Sequence, residues 1–227
     1  MKALFLAAAA LFAAGSAQAG ISVSTGNDNT GVDNVLANAC TLGSQVQSGS
    51  TTVAGCLNVD HSALVLFTGT ENLTYSGGQA TLDAADGSFG GVTITLADAG
   101  LGITKLVFNI DAIQDGTVNF FGDSGSGELQ IGGDFALDGA GQNYFTLLAD
   151  GGAVLTSFRI SATNVTQACQ GNPRNCPSPA PIINNIADIK QVRIGVSEEP
   201  NPVPEPGMVG LLGLGLLGLV AARRRKA

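Results

Sequence analysis

The chain has 227 residues with 32 glycines, eight prolines, no tryptophan and 44% apolar content, which allows one ordinary folded domain and excludes a disordered polar chain. The formal charge is −8, but five of the ten cations (Lys2, Arg223, Arg224, Arg225, Lys226) lie in the terminal segments, leaving residues 20–203 with five cations against 17 acids, a net of −12. Such a surface repels phosphate backbones and excludes nucleic acid as a partner.

In chain order, Lys2, the apolar run 3–14 and Ala17-Gln18-Ala19 predict a secretory signal peptide over residues 1–19. Ala17 and Ala19 are the small residues that signal peptidase requires before its cleavage point. Residues 20–197 then read as an acidic ectodomain. The stretch 20–61 is loosely patterned, with Gly26-Asn27-Asp28-Asn29 as a turn and 32–39 as a short helix. From 62 to 196, short apolar runs alternate at period two: Val92, Ile94 and Leu96 with threonines between them, then Leu106, Phe108 and Ile110, and finally Val192, Ile194 and Val196. Turns such as Asp86-Gly87, Asp115-Gly116, Asp138-Gly139 and Asp150-Gly151 separate these runs. The expected fold is all-β, an antiparallel, jelly-roll-like β-sandwich.

Four cysteines in an exported chain favour disulfides over metal, with three pairings open. Proximity favours Cys40 with Cys56 and Cys169 with Cys176. His61 is the single histidine, and no G-x-S-x-G elbow accompanies it, so no nucleophilic triad is legible. No cofactor is called for. A structural Ca²⁺ ion is the one metal the loop carboxylates suggest, with Asp123 and Glu128 as its candidate ligands, although no loop follows the EF-hand pattern. With tryptophan absent, a sugar-binding surface would have to expose Tyr75 or Tyr144 on a concave face. A carbohydrate-active enzyme would instead need two carboxylates facing each other across a cleft.

Residues 198–206 form a proline-containing linker that ends in Val203-Pro204-Glu205-Pro206. Residues 207–222 are an apolar stretch whose helix would be about 24 Å long, short of the roughly 30 Å hydrocarbon thickness. It is expected to act as a single, temporary transmembrane helix. Residues 223–227 carry Arg223, Arg224, Arg225 and Lys226, the basic stop that places the ectodomain outside the cytoplasm. The G-x-G-x-x-G spelled by residues 213–218 has no preceding strand and lies inside the apolar stretch, so it has no bearing on nucleotides.

This three-part tail resembles the PEP-CTERM family of sorting signals of Gram-negative bacteria. The resemblance implies processing by an exosortase near Val203-Pro204-Glu205-Pro206, release or attachment at the cell surface, and an association with exopolysaccharide and biofilm matrix. Together with the absence of a catalytic constellation, it leads to the expectation of a non-enzymatic surface or matrix protein. The alternatives are a carbohydrate-binding module, Ca²⁺-stabilised or not, and a carboxylate-based carbohydrate-active enzyme.

Overall fold

The computed structural model describes residues 20–37, 39–41, 47–77, 81–166 and 182–198. The signal segment with Ala17 and Ala19, the pair Cys169 and Cys176, and the tail with Val203, Pro204, Glu205, Pro206 and Arg223, Arg224, Arg225 and Lys226 lie outside the described residues.

The described residues are all-β, with fourteen strands and no helix. The first six are β1 (Ile21–Thr25), β2 (Asp33–Leu36), β3 (Ser48–Leu57), β4 (Leu64–Ser76), β5 (Thr81–Ala84) and β6 (Gly91–Leu96). Then come β7 (Leu101–Ala112), β8 (Gly116–Asp123), β9 (Glu128–Leu137), β10 (Asn143–Ala149) and β11 (Ser157–Ala162). The described residues end with β12 (Val165–Thr166), β13 (Ile182–Ile183) and β14 (Ile186–Glu198). β12 and β13 pair only with each other, while the other twelve form one antiparallel sheet in the order β1-β10-β7-β14-β2-β3-β4-β6-β11-β8-β9. β5 pairs with both β14 and β4, so β14, β2, β3, β4 and β5 close into a ring of hydrogen-bonded neighbours.

The sheet is therefore barrel-like, and it differs from the expected sandwich of two separate sheets. The apolar period of the strands is the same in both arrangements. What differs is that β2 and β3 carry the backbone ladder from one half to the other, where a sandwich would break it. The expected helix over 32–39 is β2 instead. Asp33 and Asn34 pair with Ile194 and Arg193 of β14, and Val35 and Leu36 with Leu57 and Cys56 of β3, partners that a turn of helix there would forfeit.

The two halves of the sheet face each other across a phenylalanine cluster. Phe108 and Phe145 come from β7 and β10, and Phe120, Phe135 and Phe158 from β8, β9 and β11. Phe120 lies at the centre, with ring centroids 4.9 Å from Phe145, 5.1 Å from Phe135 and 5.7 Å from both Phe108 and Phe158. Inside the closed ring, Phe67 and Tyr75 pack at 4.7 Å over Val35, Leu73 and Leu82. The Tyr75 hydroxyl donates to the Val35 carbonyl at 3.1 Å, and burial pushes its phenol pKa far up.

β7 is buried on both faces, because residues 26–32 cross its outer side as a strap. Lys105 Nζ donates to Asp28 Oδ2 at 2.6 Å and to the Thr30 carbonyl at 2.8 Å. Thr146 Oγ1 donates to the Gly26 carbonyl and accepts the Asp28 amide, and Arg193 reaches Asn29 and Asn34.

Candidate functional site: a polar row on the outer sheet face

Strand alternation sends every second residue of β5, β14, β7 and β10 outward, and antiparallel register then lines them up. Asp83 lies opposite Asp188, and Asp188 opposite Asp111. One step along, Thr81 lies opposite Lys190, Lys190 opposite Asn109, and Asn109 opposite Tyr144. Two polar rows thus cross the sheet side by side, next to the strap that covers Thr146.

Lys190 Nζ sits between two carboxylates, 2.5 Å from Asp111 Oδ2 and 3.1 Å from Asp188 Oδ2. These hydrogen bonds, the one to Asp111 first, raise the pKa of its ammonium. Burial raises the pKa of the Asp188 carboxyl, the hydrogen bond from Lys190 opposes that rise, and the charge of Asp111 adds to it. Asp83 is also raised by burial, against the pull of Lys190. Two buried side-chain oxygens among the described residues have no hydrogen-bond partner, and both belong to these rows: Asn109 Oδ1 and Asp188 Oδ1. An unmet buried acceptor costs about 1–3 kcal/mol, so a ligand donor here would be rewarded. Asn109 is only 1% exposed.

Next to Lys190, Gln191 holds φ at 55°, the one positive φ found outside glycine among the described residues. It falls in the register irregularity between Lys190 and Arg193. Its Oε1 accepts the Tyr144 hydroxyl at 3.1 Å, which holds that half-buried ring against the row. Backbone held in a sparsely populated region is kept only where the surroundings impose it. Beside Tyr144 opens a hollow of about 280 Å³, bordered by Thr25, Gly26, Ala136 and Gln142.

A second depression, about 450 Å³, lies on the opposite side of the molecule over β4, β6 and β11. Thr68, Thr93 and Arg159 align across its floor, and Gly91 faces Ser161 in the next row. Gly91 must be glycine, since a Cβ there would stand 2.3 Å from the Ile160 carbonyl oxygen. Arg159 lies over the Phe121 ring at 3.9 Å and is forked onto Glu128, so its charge is largely spent within the protein.

Of the residues singled out from the sequence, Cys40 and Cys56 are joined as a disulfide. The calcium candidates are otherwise engaged. Asp123 Oδ1 accepts the amides of Gly125 and Gly127, shaping the β8–β9 turn, while Glu128 is paired with Arg159. Asp60, Asp86, Asp98 and Asp138 likewise accept amides two residues on. No group of three or more His, Cys, Asp or Glu side chains among the described residues is placed to hold a metal ion, the three row aspartates included. His61 sits in the β3–β4 turn, its carbonyl accepting the Thr41 amide. Tyr75 is buried at 1% exposure and offers no surface to sugar, because β4 turns it into the closed ring; Tyr144 is the tyrosine that faces outward. Sequence reading missed the row itself. The alternation of Asp188-Ile189-Lys190 signals which side chains share a face, but which strand lies alongside is not a local property.

A family model described as the PEP-CTERM protein-sorting motif matches residues 202–226. No curated protein and no solved structure matches the chain. The C-terminal tail therefore carries a PEP-CTERM sorting motif, the membrane-associated signal of an exported protein that an exosortase processes.

Proposed function

We propose that this protein is a non-enzymatic component of the cell surface or extracellular matrix that associates with exopolysaccharide, its sorting tail serving as a temporary inner-membrane anchor. The observation that carries this reading is the outward polar row. It combines a stacking ring (Tyr144), amides (Asn109, Gln191), carboxylates (Asp111, Asp188) and an ammonium (Lys190) on one outer sheet face, all half-buried except the buried Asn109. Sugars are held by such sets, with hydroxyls hydrogen-bonded in the plane of the ring and a π-face packed against it. The test is co-sedimentation of the purified chain with exopolysaccharide from the producing cells. Retention in the pellet supports the reading, and a chain left wholly in the supernatant sinks it.

One observation favours a second reading, a carboxylate-based hydrolase: Asp111 and Asp188 meet at a single ammonium, and Asp188 has the raised pKa that a general acid needs. Against it, the Lys190 ammonium stands between the two and is paired with both. Release of reducing ends from the same polysaccharide, abolished in Asp188→Asn, would establish the hydrolase instead.

A further inference from the structure

We propose that the row Lys190–Asn109–Tyr144, with Asp83, Asp111 and Asp188 beside it, is a subsite for a polysaccharide that bears free amino groups. This inference rests on the exopolysaccharide reading and narrows it to one ligand chemistry at one place.

Three features of the row point to amines. First, what the site lacks is donors: Asn109 Oδ1 and Asp188 Oδ1 are acceptors, both buried and both unpartnered. An ammonium supplies three donors and a hydroxyl only one. Second, the site already holds a primary ammonium, that of Lys190, between Asp111 and Asp188, which demonstrates that the carboxylate spacing suits this group. Three carboxylates against that single cation leave negative charge to be balanced by whatever binds. Third, the row aspartates are not part of any group of three or more His, Cys, Asp or Glu side chains placed as metal ligands among the described residues.

The neighbours supply the rest of a sugar site. Tyr144, fixed by Gln191, offers a ring face beside the hollow bordered by Thr25 and Gln142. The strap over Thr146 walls one side. The Lys190 side chain is 37% exposed, so the ammonium it places between the carboxylates is within reach of solvent. An acidic polymer would meet both the three carboxylates and a domain of net charge −12 over residues 20–203. No covalent step is involved.

The experiment uses the full-length chain in detergent, titrated calorimetrically below neutral pH with glucosamine oligomers, with the same oligomers N-acetylated, and with a polyuronate. The glucosamine oligomers should bind best, and more weakly as salt rises. N-acetylation should weaken binding about tenfold, the scale of one charge-assisted hydrogen bond. The polyuronate should not bind. Asp111→Asn/Asp188→Asn and, separately, Tyr144→Ala should each weaken glucosamine binding about tenfold or more, while Gln130→Ala on the far side of the molecule should leave it unchanged. A melting curve for each variant verifies folding, and the selectivity of the unaltered chain stands even where a variant fails to fold. Equal affinity for the amino and N-acetylated oligomers, preference for the polyuronate, or full affinity in the folded row variants overturns the proposal. Co-sedimentation with exopolysaccharide retained in those variants would overturn this subsite while leaving the wider reading intact. Its absence in the unaltered chain would overturn that reading itself.

Discussion

Replacing Phe120 with alanine should remove the central one of the ring contacts that join the two halves of the sheet. The ring is fully buried and touches Phe108 and Phe145 on one half and Phe135 and Phe158 on the other, at centroid distances of 4.9 to 5.7 Å. Truncating a core phenylalanine costs about 3–5 kcal/mol through lost transfer energy and the cavity left behind. Four ring pairs, each worth about 0.5–1.5 kcal/mol beyond burial and not simply additive, put Phe120→Ala at the upper end of that range. Against a total stability of about 5–15 kcal/mol this is a large share. With a urea slope of about 2 kcal/mol per molar, the unfolding midpoint should fall by roughly 2 M without a change in slope. Phe135→Ala is the comparison, because that ring is half-buried on β9 and makes two ring pairs, with Phe120 and Phe145, against four for Phe120, so it should cost about half as much. A midpoint shift for Phe120→Ala no greater than that of Phe135→Ala would refute the claim that this cluster couples the halves.

Other expectations can be checked on the same preparation. Removing the Cys40–Cys56 bridge by alanine at both positions opens a loop with a separation of 16 residues and should cost about 3 kcal/mol, read from denaturant unfolding. Gly91→Ala drives a methyl into the Ile160 carbonyl at 2.3 Å and should lower stability by about 1–3 kcal/mol, seen as a reduced melting temperature. The hydrogen bond from Lys105 holds the Asp28 carboxyl at about 2 against an ordinary 3.8. Its contribution to stability is complete above the ordinary value and is lost as pH falls through about 2, so Asp28→Asn should flatten that part of the melting-temperature profile. Asp188 has the opposite sign: its pKa is raised by burial, so stability falls as pH rises from its ordinary range through the raised value, and Asp188→Asn should remove that slope. Millimolar calcium should leave the melting temperature of the chain unchanged, because Asp123 and Glu128 already have internal partners. A rise of several degrees would contradict this assignment.

The ends and the strands of this protein are written locally, and the sequence alone determined how they read. Prolines, a short apolar run and trailing arginines are contiguous along the chain, so the sorting tail needs no fold to be legible. Likewise, Val92, Ile94 and Leu96 alternate within one strand, and Asp-Gly pairs make turns within a few residues. The partnership of Cys40 with Cys56 followed from nearness in sequence. Which residues stand side by side depends instead on how distant strands pair. Residues 33–36 became a strand because β14, some 160 positions away in the chain, lay open to pair with them. Tyr75 and Tyr144 are equivalent in the sequence, yet strand direction buries one inside the closed ring and sets the other outward. The polar row assembles Asp83, Asn109, Asp111, Tyr144, Asp188 and Lys190 from four strands whose order in the sheet is not their order in the chain. Alternation determines the face of each side chain, whereas hydrogen-bonded register across distant strands determines its neighbours, and binding chemistry depends on the neighbours.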